Sequence, residues 1–511
     1  MMKMKLNKVR PLTRSVLALS LVCAALVAPA LPQQPAAGPA GQDKAVSRSK
    51  VERKGRAPVS QDVLRVNLPK PLEAKLDNGL TVLILEDHRF PVVAVRLSIS
   101  GAGPLFEPAG APGLANLTAA MLREGTKTRT SRQLAEEIER LGATLNASSG
   151  YGSAAAAINA SGLSDNFDQW FALFTDVLLN PSFPADELGK FKTRLKTQLK
   201  QQRTQPFFLA NERFSQAVYG KHPAATVTTT AEALDALTPE RLAQWYRERY
   251  APQNAILGIA GDVRAADVLA KLKRELGGWA KTNAKEVLPP HPVPTTAKKI
   301  FLIDRPDSVQ STVTMGNIAI DRRSPDYFPL VVMDSVVGSG GSSRLFLNLR
   351  EEKGYTYGVY SGFTALKYPG PWSAGGDVRT EVTEGAVHEL LYELGRIRDE
   401  PVPAAELEEK KRAVVAGFAL SLESPAQLLN YAITRKIYDL PVDYWDTYPA
   451  KIMAVTAADV QRVARRYVNP ETQQVVVVGD ASKIKATLEK FGPVEVYDTE
   501  GKPRGTAAPT P

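Results

Sequence analysis

Metal-assisted hydrolysis needs histidines and carboxylates gathered at ligand spacing, so the four histidines, His88, His222, His291 and His388, are the first residues to place. They stand 134, 69 and 97 residues apart, and no helix presents two of them at i and i+4. The nearest approach to a ligand pair is Glu384 with His388, one helical turn apart, and no third donor lies close by in sequence. A solvated pair on a helix face is the plainer account of them. Nucleophilic chemistry finds no better footing. No Gly-x-Ser-x-Gly turn exposes a serine, and Gly338-Ser-Gly-Gly-Ser-Ser343 lacks the Lys-Ser/Thr that completes a phosphate loop. The single cysteine, Cys23, excludes an internal disulfide and a cysteine-based zinc cluster.

The surrounding chain must supply the elements that position any site. At about 150 residues per domain, 511 residues make two to four domains, and 44% hydrophobic with 23% charged residues is the composition of a globular protein. Five of the ten net positive charges sit in the first thirty residues, at Lys3, Lys5, Lys8, Arg10 and Arg14, so the remainder carries only +5. Without a basic tract, nucleic acid is not an expected partner. The basic stretch to Arg14, the apolar run Val16–Val27 and Ala28-Pro29-Ala30 read as a secretory signal over residues 1–30, which predicts a secreted, periplasmic protein. Residues 31–62, rich in Pro, Ala, Gly and Gln, read as a flexible tether. No later run reaches the ~18 apolar residues of a membrane span, so none is expected after signal cleavage.

From Val63 onward strands and helices mix. Leu80–Leu85 and Val92–Ile99 are β-rich, while Leu114, Leu117 and Met121, then Leu134, Ile138 and Leu141, recur at helical spacing. The strongest organisational signal is a repeat. Thr238, Pro252, Gly261 and Asp262 recur as Thr456, Pro470, Gly479 and Asp480, all at an offset of 218. Each copy reads as a Thr-capped helix, a Pro-containing turn and a buried strand ending in Gly-Asp. Two homologous halves follow, over 63–280 and 297–495, joined by a Pro-rich linker at 281–296 and followed by a disordered tail at 496–511.

Three segments carry a resemblance: Gly113-Leu-Ala-Asn-Leu-Thr-Ala-Ala-Met-Leu-Arg-Glu-Gly-Thr126, Tyr219-Gly-Lys-His-Pro223 and Ser343-Arg-Leu-Phe-Leu-Asn-Leu-Arg-Glu-Glu-Lys-Gly-Tyr-Thr-Tyr357. With the duplicated halves, they resemble the pitrilysin/insulinase metallopeptidase family over about residues 70 to 490. The resemblance implies an α+β fold of the LuxS/MPP metallopeptidase type: two homologous domains, each an antiparallel sheet with helices packed on it, forming half of a clam-shaped chamber.

Active members of that family carry H-x-x-E-H in the first half, two histidines on one helical face for Zn²⁺ and a glutamate as base for the zinc-bound water. The matching positions here are Asn116, Ala119 and Ala120, and the stretch Arg194–Gln202, where a third, glutamate ligand should fall, has no carboxylate. The second half matches the family differently. Arg350 and Tyr357 have the type and spacing of the pair that holds the substrate carbonyl, where guanidinium and phenol donors stabilise the developing oxyanion. The resemblance therefore implies a non-catalytic subunit without a metal of its own. It would complete the site of a motif-containing partner that holds the zinc, and an unstructured peptide would be the substrate. The alternatives are a non-enzymatic scaffold or peptide-binding protein of the same fold, and an autonomous metallopeptidase with ligands elsewhere, around Glu384 and His388.

Overall fold

The computed structural model describes residues 62–283 and 288–504. The proposed signal, Cys23 and nearly all of the tether lie outside the described residues. Two six-stranded sheets organise the rest. The first comprises β1 (Leu72–Lys75), β2 (Thr81–Glu86), β3 (Val92–Ser100), β4 (Thr144–Ser148), β5 (Ala155–Leu163) and β6 (Ala255–Gly261), in the order β1-β2-β6-β3-β5-β4. The second comprises β7 (Lys299–Asp304), β8 (Gln310–Ile318), β9 (Thr356–Ala365), β10 (Pro369–Arg379), β11 (Gln474–Gly479) and β12 (Val494–Tyr497), in the order β12-β7-β11-β8-β10-β9. The 218-residue offset read from Gly-Asp also relates Thr81 to Lys299 and Val92 to Gln310, the first residues of β2 and β7 and of β3 and β8. The halves are copies of one sheet.

Most pairs are antiparallel, as the fold class implies, but β2–β6 and β7–β11 run parallel. The copies differ at the outer edge. The first half fills it with β1, antiparallel to β2, from the chain's start; the second fills it with β12, parallel to β7, from the chain's end. Val496 and Tyr497 thus belong to a strand, which corrects the expected tail. The Arg213 guanidinium lies 3.7 Å over the Tyr497 ring, and Asp498 N donates to Lys502 O, ordering the chain to Arg504.

Each sheet buries one face beneath its own helices. Val82, Ile84, Leu257 and Ile259 lie in the first core, and Val313, Met315, Val475 and Val477 in the second. The opposite faces are covered by exchange. The helix Pro206–Tyr219, from the first half, packs on β7, β8 and β11, where Leu209, Phe214 and Val218 meet Phe301, Ile303, Val476 and Val478. The helix Pro425–Ile437, from the second, packs on β2 and β6, where Leu428, Leu429 and Ile433 meet Leu83, Leu85 and Ala260. Burying each such large apolar side chain contributes about 1.5–3 kcal/mol. The exchange therefore binds the halves together far more firmly than the linker does. Even Leu68, before β1, donates its N–H to Asp446 of the second half.

Candidate functional site

The helix Leu114–Met121 forms where the spacing predicts it, with Leu114, Leu117 and Met121 in the first core. Its cap is unusual. Gly113 is left-handed and offers no side chain, so the Glu107 carboxylate takes the role, accepting from Gly113 N at 3.1 Å and Ala115 N at 2.6 Å. Burial pushes the Glu107 carboxyl up to about 7, against the pull of those two N–H groups.

The three positions matched to a zinc motif follow on this helix. Asn116 is half-buried and donates Nδ2 to Ser149 O at 3.0 Å; Ala119 is fully buried; Ala120 is half-buried and bears only a methyl group. Alanine has no donor for a metal, and Asn116 offers a single neutral amide oxygen where zinc takes imidazole, thiolate or carboxylate ligands. The segment Arg194–Gln202 lies on the helix Ala185–Gln202, whose acids, Asp186 and Glu187, are confined to its first turn. Zinc does not fit this donor set. Among the described residues no group of three His, Cys, Asp or Glu side chains is placed to hold a metal ion. The alternative ligands near Glu384 fail as well. Glu384 accepts two 2.8 Å bonds from Lys490, and His388 is exposed beside Glu389.

Arg350 and Tyr357 do come together. Arg350 sits on a wide helical turn, Phe346–Glu352, and Tyr357 near the start of β9, the sheet's edge strand. The Arg350 Nη1 donates to Tyr357 O at 2.5 Å, and its guanidinium lies 4.4 Å from the Tyr357 ring and 5.0 Å from that of Phe346. A salt contact with Glu351 at 3.6 Å adds little, because both groups are open to water. The Tyr357 side chain is 85% exposed. The pair is thus a cation and a phenol, held against each other on an accessible edge.

Two features escaped the sequence. The offset of 218 maps Asn116 onto Asp334, on the helix Tyr327–Val337, and Ala119 and Ala120 onto Val337 and Gly338. Asp334 accepts from Ser361 Oγ at 2.6 Å and Trp372 Nε1 at 3.2 Å, and burial raises its carboxyl. Extending the repeat through this helix would have found it. The other feature is a cavity of about 560 Å³ between the halves, lined by Tyr151, Ser153 and Ala155 on one side and Thr364, Tyr368 and Tyr438 on the other. Tyr368 Oη donates across it to Gly152 O at 2.7 Å. His222, from the Tyr-Gly-Lys-His-Pro segment, packs its ring on Tyr219 and Tyr368. Its Nδ1 accepts from Ala224 N while Nε2 donates to Pro290 O at 2.9 Å, so burial keeps it neutral and it pins the linker. That pairing leaves neither nitrogen for a metal.

Comparison with known proteins gives this geometry its context. The family model described as Insulinase (Peptidase family M16) matches residues 81–231, and the one described as Peptidase M16 inactive domain matches residues 236–414. A Rickettsia bellii chain named an uncharacterized zinc protease is 25% identical over 418 residues, covering 79% of this chain and 96% of its own. A Helicobacter pylori chain named a non-peptidase homolog is 23% identical, covering 79% of this chain and 93% of its own. The crystal structure of a peptidase M16 inactive domain from Pseudomonas fluorescens superposes with a TM-score of 0.75 at 26% identity, covering 80% of this chain and 98% of that one.

Proposed function

The chain belongs to the insulinase (M16) peptidase family, and from that premise we propose that it is the non-catalytic subunit of a zinc endopeptidase. In this reading a second family member supplies the metal and the base, and this chain supplies Arg350 and Tyr357 to the substrate carbonyl. The observation that carries the reading is the contrast within one chain: a motif helix with no metal donor, and an arginine–tyrosine pair presented on an accessible edge strand. In the transition state the guanidinium and the phenol would both donate to the oxygen on which negative charge collects. To reach it, Arg350 exchanges its bond with Tyr357 O for one with the substrate oxygen. An extended, unstructured peptide is the substrate class, and the signal-like segment read over residues 1–30 supports the periplasm as the compartment in which this chain would meet its partner.

The test is reconstitution. The full mature chain is purified alone and with a family member bearing intact H-x-x-E-H, bound zinc is measured, and cleavage of an unstructured peptide is followed. The reading expects no zinc and no cleavage alone, and cleavage by the mixture beyond that of the partner by itself. Stoichiometric zinc with activity in this chain alone overturns it. Peptide affinity with no effect on the partner's turnover would instead identify a peptide-binding module.

A further inference from the structure

The turn that carries Arg350 is not an ordinary helix. Over Phe346–Glu352 it winds with five-residue closures, Lys353 N donating to Asn348 O at 2.9 Å, and such widened turns concentrate at functional sites. Widening turns Asn348 inward together with Leu349, so that a polar amide 8% exposed lies beside a leucine of the core. Its Nδ2 donates to two carboxylates at once, Glu389 Oε2 at 2.9 Å and Glu393 Oε1 at 2.8 Å, both on the helix Thr383–Asp399. Glu393 is 3% exposed and is further held by Arg396, while Lys353 stands 3.9 Å from Glu389. Asn348 Oδ1 is buried without a partner. A buried polar network with an unmatched acceptor is a poor way to hold a helix in place, since an apolar residue would pack there at less cost. What the network does supply is a fixed rotational phase for the turn, two residues before Arg350.

We infer that Asn348, clamped by Glu389 and Glu393, is the positioning residue that aims Arg350 at β9 and Tyr357. The inference rests on the proposed role of the arginine–tyrosine pair, and it adds the residue that sets the pair's geometry. The clamp acts through Arg350 and touches no substrate. A displacement of about 1 Å at a reacting group can cost 100-fold in rate, so a clamp beneath the arginine matters even though it is remote from the chemistry.

The test uses the full chain, alone and with its motif-bearing partner. Asn348→Leu keeps the branched shape and the number of heavy atoms and removes the donor. Asn348→Asp with Glu393→Gln reverses donor and acceptor in the bond to the more deeply buried carboxylate while conserving the number of carboxylates, so it restores that one of the two bonds. In the complex, Asn348→Leu is expected to lower kcat about tenfold with little change in KM, the double swap to recover part of it, and Asn348→Leu to have no further effect in an Arg350→Ala background. Equal losses in both backgrounds overturn the inference, because the effect would then not pass through Arg350. In the free chain, 3-fluorotyrosine at position 357 reports the guanidinium by ¹⁹F NMR. Asn348→Leu should shift this signal in the direction that Arg350→Ala shifts it, and an unmoved signal overturns the inference. If Arg350→Ala leaves turnover intact while the fluorine signal behaves as expected, the clamp stands and the proposed role of the pair fails.

Discussion

The helix Leu114–Met121 and its counterpart Tyr327–Val337 occupy the same place in two copies of one sheet, and they spend that place differently. In the first half Asn116 bonds to Ser149 O, just past β4; in the second Asp334 bonds to Ser361 of β9. At this position both halves use a polar side chain to fasten a helix to the edge of its sheet. The first half lacks any metal donor at the motif positions, yet Leu114, Leu117 and Met121 pack fully. Packing and ligation are separate demands on one helix, and only packing holds the fold. The difference we propose to be functional lies next door, where the second half presents Arg350 against Tyr357 on its edge strand.

The largest effect should come from what the halves share. Phe214→Ala empties a site on the second sheet that is filled by a helix of the first half, and Leu429→Ala does the reverse. Each should cost about 3–5 kcal/mol or slightly less for the leucine. Because each helix stabilises the other half, urea unfolding followed by circular dichroism and by tryptophan fluorescence should remain one coincident transition in both variants. Two separated transitions would break the picture of an interlocked pair. Next in size is the asymmetry itself. In the reconstituted complex, Arg350→Ala should lower kcat by about 10²–10³, the loss typical of one oxyanion donor, and Tyr357→Phe by less. Unchanged turnover in both variants removes the site assignment.

A pH titration sharpens the comparison at the first half's helix. Glu107, raised from an ordinary 4.5 to about 7, holds its proton more tightly in the folded state than in the unfolded one. Its contribution is therefore fully present below about 4.5 and is lost as pH rises toward and through 7. At 1.36 kcal/mol per unit this amounts to at most roughly 3 kcal/mol. Glu107→Gln should remove that slope, so the stability difference between wild type and variant should fall with rising pH across this window. A constant difference would show that the carboxyl titrates normally.

Much of this architecture was legible in the sequence because β2, β3 and β6 recur as β7, β8 and β11 without a gap. Gapless spacing survives where strands are central in the sheet. The exchange of helices was not legible: the apolar stripe of Leu209, Phe214 and Val218 says that a face is buried and not against which sheet. The edges escaped for a related reason, since β1 and β12 are four residues each and take opposite directions. At the site, Arg350 and Tyr357 were found through a resemblance in spacing. Asn348 was not, because a regular helical period does not predict that a widened turn carries it inward. Glu107 caps a helix that begins seven residues later, beyond the reach of a local capping pattern.

The smallest test concerns the Gly-Asp repeat, where identical residues do unlike work. Gly261 ends β6 at φ +132, and a Cβ there would stand 2.0 Å from the backbone oxygen of Val92. Gly479 ends β11 outside the left-handed region, and its Cβ would meet only side-chain ends, Ile484 Cδ1 and Ser311 Oγ, each at 2.9 Å. The aspartates diverge too. Asp262 bonds to His88 and Ser164, whereas Asp480 caps the helix Ala481–Leu488 and is held down to about 2, chiefly by its bond from Ser482. Gly261→Ala combines a strained backbone with a clash against main chain that cannot rotate away, about 2–3 kcal/mol in all. Gly479→Ala asks two flexible groups to yield a few tenths of an ångström, about 1 kcal/mol. The expected gap between these twins is thus about 1–2 kcal/mol, measurable as a difference in urea midpoints at constant slope. Equal costs would mean that the turn after β6 relaxes on substitution, and that the repeat conserves its glycine for the same reason in both halves.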